Sequence, residues 1–265
     1  MKIITNKHRL LPALYCVLFL SCISLTSRAQ TREYYYRIRI FHYKTRAQED
    51  RLDKYFKTAL LPALHRQHIP KVGVFKPVEQ DTADKKIYVL IPFKNLDEFE
   101  NTRARVQSDK QYLADGKDYV DAEYNKAPYN RIEVITLRAF PKWPAPTEPK
   151  LTAPKSERVY ELRSYESPTE AYNVNKVKMF NDGGETALFN RLNFNAVFYA
   201  EVLSGSHMPN LMYMTTFENK ADRDKHWDTF GNDPEWKVLV AKPEYAHNVS
   251  KADIIFLHPT EYSDF

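Results

Sequence analysis

The chain repeats itself once, and that repeat limits its possible folds more than any other feature. Asn95-Leu96-Asp97-Glu98 follows Ile91-Pro92-Phe93, and Asn219-Lys220-Ala221-Asp222 follows Thr215-Thr216-Phe217, 124 residues later. Arg39 and Arg163 stand at the same offset, as do Tyr36 and Tyr160, while Val74-Phe75 and Val197-Phe198 are 123 apart. A single long-period repeat is one unit duplicated, not a solenoid. The fold therefore reduces to a unit of about a hundred residues, an ordinary domain size.

Periodicity predicts the elements of that unit. Tyr34 to Tyr43 alternates aromatic and β-branched residues as a strand does. Glu49 to His68 carries Leu52, Tyr55, Phe56, Ala59, Leu60, Ala63 and Leu64 at helical spacing, with Pro62 predicting a kink or an early end. Strands follow at Lys71–Val78 and Lys86–Phe93. A helix starts at Asn95, with Glu98 completing a start of capping-box type. Arg131–Leu137 is the last strand. The second copy gives strands at Arg158–Glu166, Ala196–Leu203, Leu211–Phe217 and Ala252–Leu257, and helices from Ala171 and Asn219. Each unit is thus βαββαβ, the ferredoxin-like arrangement. Its sheet packs one face on two helices and leaves the other bare. Two tandem units, residues 31–140 and 157–265, are expected to bury those bare faces against each other in a barrel. The proline-dense stretch 141–156 reads as a semi-rigid linker.

The first residues are expected to be an export signal. Lys2, Lys7 and Arg9 precede a mostly apolar run from Leu10 to Leu25, and Ser27-Arg28-Ala29 resembles a small-x-small cleavage site. The run is marginal for a permanent span. Phe19-Leu20-Ser21-Cys22 offers lipidation at Cys22 as the alternative to plain cleavage. Export predicts a periplasmic or secreted protein. Cleavage near Ala29 removes both cysteines, and with them any disulfide, thiol nucleophile or thiolate metal site. It also removes four of the 39 basic residues and no acid, leaving 35 against 34. The basic balance is then no argument for nucleic acid or membrane partners.

Four stretches of the second unit carry a family resemblance. They are Lys178-Met179-Phe180-Asn181-Asp182-Gly183-Gly184-Glu185, Phe194 to Tyr199, Met208 to Met214, and His226-Trp227-Asp228-Thr229-Phe230-Gly231-Asn232-Asp233-Pro234-Glu235-Trp236-Lys237. Together they resemble the NIPSNAP family. The first unit follows the same element order but lacks the Asp-Pro-Glu-Trp stretch. The resemblance implies a dimeric α/β-barrel, here formed as a pseudo-dimer within one chain, and brings no reaction with it. Members include vesicle-trafficking-related, mitochondrial and exported bacterial proteins, and the wider barrel superfamily spans oxygenases, haem proteins and stress-response proteins. Fold analogy cannot choose among these.

Candidate chemistry is sparse. Asp233-Pro234-Glu235 reads as N-cap, N1 and N2 of a short helix, with Trp236 packing on Trp227 and Phe230. Strand alternation separates Tyr35, Arg37, Arg39, Phe41 and Tyr43 from Tyr36, Ile38 and Ile40. With the second set assigned to the helices, the first set would face the barrel interior, as would Glu161, Arg163 and Tyr165. Arg37 would pair with Glu161 across the pseudo-twofold, or the arginines would bind an anionic or aromatic ligand. Adjacent Gly183 and Gly184 break a helical pattern beside Asn181 and Glu185, at a cost of about 1 kcal/mol each relative to alanine. A turn or a close backbone approach explains them. His65, His68 and His226 lack zinc spacing, and no phosphate loop, dinucleotide fingerprint or nucleophile elbow is present. No motif names a cofactor.

Three readings stay open. One is a small organic ligand held between the two sheets by Arg39, Arg163, Tyr165, Asn181 and Glu185. Another is a cofactor-independent oxygenase or isomerase, with Glu185 or His226 as general base. The third is a filled barrel acting as a structural or interaction module, with homo-oligomerisation compatible with all three.

Overall fold

The computed structural model describes residues 33–265. The expected export signal, with Cys16, Cys22 and the expected cleavage position near Ala29, lies outside the described residues. The first unit runs β1 (Tyr35–Tyr43), α1 (Arg46–Tyr55), a π-helical turn (Phe56–Leu60), α2 (Leu61–Arg66), β2 (Gly73–Pro77), β3 (Lys85–Phe93), α3 (Leu96–Gln107), α4 (Lys110–Asp115), α5 (Lys117–Val120) and β4 (Arg131–Ala139). The second runs β5 (Val159–Glu166), α6 (Glu170–Asn181), α7 (Glu185–Arg191), β6 (Phe198–Ser204), β7 (Asn210–Phe217), α8 (Lys220–Asn232), α9 (Pro234–Val240), a 3₁₀ turn (Pro243–Tyr245) and β8 (Lys251–Pro259).

The expected strands form within a few residues of their predicted bounds. Pro62 does not end its helix. Without an amide hydrogen it cannot join the regular ladder, and the π-turn lies directly ahead of it, so the helix widens and continues to Arg66. The two copies begin their last long helices identically. Asn95 accepts from the Glu98 amide and Asn219 from the Asp222 amide, at 2.8 and 2.9 Å. Glu98 and Asp222 each reach back to the amide of the residue before the cap, Lys94 and Glu218. Each pair satisfies two donors that the helix start leaves open.

The strands close into one antiparallel barrel in the order β1-β3-β2-β8-β5-β7-β6-β4. Two seams join the units. β2 meets β8 through Phe75 opposite Pro259, and β4 meets β6 through Leu137 opposite Val202. Closure leaves no sheet edge unpaired. The linker lies on the barrel rather than spanning open space: the Tyr34 amide donates to the Pro144 carbonyl, and the Thr147 amide to that of Val197.

The barrel interior is apolar and filled. Tyr36, Ile38, Phe75, Leu90, Leu137, Leu162, Ala200, Met214 and Leu257, drawn from all eight strands, form one buried cluster. The expected assignment of faces is therefore inverted. Tyr36, Ile38 and Ile40 point into the barrel, and Phe41 and Tyr43 pack with the helices. The period of two was right and the phase wrong. A barrel interior is sealed on every side and has no route by which a guanidinium could reach water or a helix carbonyl. The layer beneath the helices opens at its ends, so the charged strand residues face that way. The ligand site expected between the sheets is accordingly replaced by side chains.

Candidate functional site

In the C-terminal unit the outer face of the sheet and the helices border an open cavity of about 520 Å³. Its lining includes Arg163 and Tyr165 from β5, Lys176 from α6, Glu185 from α7, Trp227 from α8 and Trp236 from α9.

Glu161 anchors one wall. Its side chain is fully buried, yet it accepts from Arg163 Nε at 2.6 Å, Arg223 Nε at 2.7 Å, Arg223 Nη2 at 2.9 Å and Trp227 Nε1 at 2.8 Å. Burial pushes its pKa up, but the bonds and charges of Arg223 and Arg163 outweigh this and hold it below the usual carboxylate value. Arg223 and Trp227 meet it together because they lie one turn apart on α8. The Arg163 guanidinium sits 3.5 Å from the Trp227 ring centroid and donates to the Tyr165 hydroxyl at 2.8 Å, which is bonded in turn to Tyr213 at 2.8 Å. Arg37 takes no part. The expected Arg37–Glu161 pair does not form: Arg37 donates to the Phe99 carbonyl in the other unit, and Glu161 is saturated by its own neighbours.

Lys176 and Glu185 form the second feature, an ion pair at 2.9 Å between side chains only 6% and 3% exposed. The glycine pair creates it. Gly184 adopts φ +89°, turning the chain between α6 and α7 so that Glu185 opens α7 facing Lys176. Here a glycine is required by the left-handed backbone. Lys176 also lies 4.7 Å from the Phe180 ring centroid. Burial raises the Glu185 pKa, opposed by the charges of Lys176 and Arg163. Burial likewise drives Tyr199 and Tyr213 well above the ordinary tyrosine value. Asn248, on the cavity lining, is buried with a side-chain amide nitrogen that meets no partner among the described residues.

The predicted residues divide. Arg163, Tyr165 and Glu185 come together here. Asn181 does not: it donates to the Val177 carbonyl and accepts from the Lys142 amide, tying the linker to α6. Arg39 lies in the N-terminal unit, beneath its helices. His226 is against Phe194 and Phe217 and bonds the Asp222 carbonyl one turn back at 2.8 Å, so its ring is tied to its own helix and takes no place in the cavity lining. Asp233 caps α9 as expected, accepting from the Glu235 and Trp236 amides, and Trp236 packs on Phe230 at 4.4 Å. Lys176 and Asn248 were missed. Lys176 stands nine residues before Glu185, a spacing that becomes a contact only through the glycine turn.

Fold and cavity define a dimeric α/β-barrel protein closed by two units of one chain. Within it, residues 160–264, in the C-terminal unit, match the NIPSNAP family model. In fold the chain is similar to a candidate monooxygenase from Lactobacillus acidophilus NCFM, at 13% identity over 85% of this chain and 93% of that chain, with a TM-score of 0.53. A candidate monooxygenase from Fusobacterium nucleatum subsp. nucleatum is 8% identical over 85% of this chain and 92% of that chain, with a TM-score of 0.52. A NIPSNAP family protein from Agrobacterium tumefaciens str. C58 is 17% identical over 40% of this chain and 96% of that chain, with a TM-score of 0.35. No curated protein matches the chain in sequence. For the two candidate monooxygenases, identities this low describe a shared fold.

Proposed function

We propose that this is an exported protein whose NIPSNAP domain binds a small aromatic molecule bearing an acidic group, in the cavity beneath its helices. The observation that carries this reading is the pairing of two features on one cavity: Arg163 seated on Trp227, and the buried Lys176–Glu185 pair. Tryptophan and phenylalanine walls suit a planar ring, while Arg163, Lys176 and the unpartnered Asn248 amide suit an anion or a hydroxyl. A buried ion pair alone stabilises little compared with apolar residues of the same volume, so its place on a cavity wall favours use over mere packing. Trp227 and Trp236 both line the cavity, which makes intrinsic tryptophan emission the assay. Titration with 4-hydroxybenzoate is expected to change that emission saturably, and Trp227→Leu to abolish the response. An unchanged emission across such aromatic acids would contradict the reading.

A second reading rests on Glu185. A buried carboxylate with a raised pKa is suited to accept a proton from a bound hydroxyl. The structural neighbours described as monooxygenases make a cofactor-independent oxygenase the natural form of such an enzyme. Glu185→Gln should then abolish oxygen uptake with a turned-over phenol while leaving the emission response in place.

A further inference from the structure

The N-terminal unit has its own cavity, of about 740 Å³, between its sheet and its helices. The repeat shows how it departs from its counterpart. At the offset of 124, Arg163 answers to Arg39, but Glu161 answers to Arg37 and Trp227 to Arg103. The equivalence is structural as well as numerical, because Asn95 and Asn219 cap α3 and α8 in the same way. In the C-terminal unit the buried carboxylate of Glu161 neutralises Arg163 and Arg223. The N-terminal unit replaces that carboxylate with a third positive charge.

Arg37, Arg39 and Arg103 all line the cavity, and no aspartate or glutamate does. None of the three forms an ion pair among the described residues. Arg37 lies 4.2 Å from the Phe99 ring centroid and Arg39 lies 4.7 Å from that of Phe41. Stacking of this kind orients a guanidinium without supplying a counter-charge. Burial, with the charges of Arg39 and Arg103, lowers the Arg37 pKa. Like charges gathered in a partly dry hollow repel one another, and an anion relieves that repulsion. The rest of the wall mixes aliphatic side chains with aromatic ones, among them Tyr55 and Tyr119 stacked at 3.6 Å. Val120 and Val134, both exposed, also line the cavity and leave it open to solvent.

We propose that this second cavity binds a small aromatic phosphate monoester, its phosphate held by Arg37, Arg39 and Arg103 and its ring among the tyrosines. Three guanidiniums match the three terminal oxygens of a phosphate and its double charge, and a single carboxylate would leave most of the positive charge unanswered. The site is distinct from the NIPSNAP-domain cavity and does not depend on the reading given for it.

The test is isothermal titration calorimetry on the full chain, with phenyl phosphate and phenol as probes. Phenyl phosphate is expected to bind the N-terminal cavity, with phenol at least about tenfold weaker there. Arg103→Gln, at an exposed position, should weaken phenyl phosphate about tenfold, as loss of one charged hydrogen bond does. Arg37→Gln should weaken it at least as much. Arg105→Gln, on the same helix but outside the cavity, should leave it unchanged. The three tryptophans, Trp143, Trp227 and Trp236, all lie outside the N-terminal unit, so any emission change reports occupancy of the other cavity, and Arg37→Gln and Arg103→Gln should leave it untouched. The proposal is overturned by absent binding, by equal affinity for phenol, or by an affinity that Arg103→Gln and Arg37→Gln leave unmoved or Arg105→Gln lowers equally.

Discussion

Glu161 and Glu185 are two buried carboxylates in one unit with opposite fates. Glu161 is surrounded by donors, and its pKa is lowered despite burial. Glu185 has a single lysine, and its pKa is raised. The first is therefore an anchor, and the second is the group on which the proposed ligand reading rests. The buried Lys176–Glu185 pair also yields a stability prediction. Breaking it from one side with Lys176→Met or Glu185→Leu leaves an uncompensated charge and should cost about 3–5 kcal/mol, whereas the double substitution should cost far less than the sum. Urea unfolding measures both, and additive losses would show that the two groups are not coupled. Glu185 was legible from its place after a glycine pair. Lys176 was not, because its role depends on a turn that no spacing rule specifies. Asn181 was misplaced for the complementary reason: adjacent to the turn in sequence, it is occupied by the Val177 carbonyl and the Lys142 amide.

Among the elements, the α6–turn–α7 break decides where the cavity's charges stand. Gly184 holds φ +89° with open space where a Cβ would sit, so an alanine there meets backbone strain and no clash. Gly184→Ala should destabilise by about 1–2 kcal/mol, with asparagine less costly because it tolerates the left-handed region better. Thermal unfolding of the two variants would check this, and equal stability to the parent would contradict it. The strands, the Asn95 and Asn219 caps and the Asp233 cap were readable because each follows from local chemistry that repeats in both units. The orientation of β1 and β5 was not. Alternation fixes which residues share a face, but which face is enclosed depends on the seams β2–β8 and β4–β6, which are set by tertiary pairing.

At the scale of the molecule, duplication supplies the second half of a barrel, and two cavities that have diverged in charge beneath the helices. The interior holds the units together, with Phe75 and Tyr160, from opposite units, 5.0 Å apart across it. A fully buried leucine or phenylalanine contributes about 1.5–3 kcal/mol, so an interior built from all eight strands serves stability and leaves function to the outer layer. The repeat made the pseudo-dimer legible, and the resemblance of its second half made the NIPSNAP domain legible. The placement of the cavities was not, since it required knowing which side of the sheet is filled. The most direct measurement is native mass spectrometry of the protein purified without denaturation, alongside its Arg163→Met variant. A small-molecule adduct on the parent that disappears in the variant is the predicted result. A bare polypeptide mass for the parent, or a phosphate-free adduct that survives Arg163→Met, would contradict the assignment of the ligand to the C-terminal cavity.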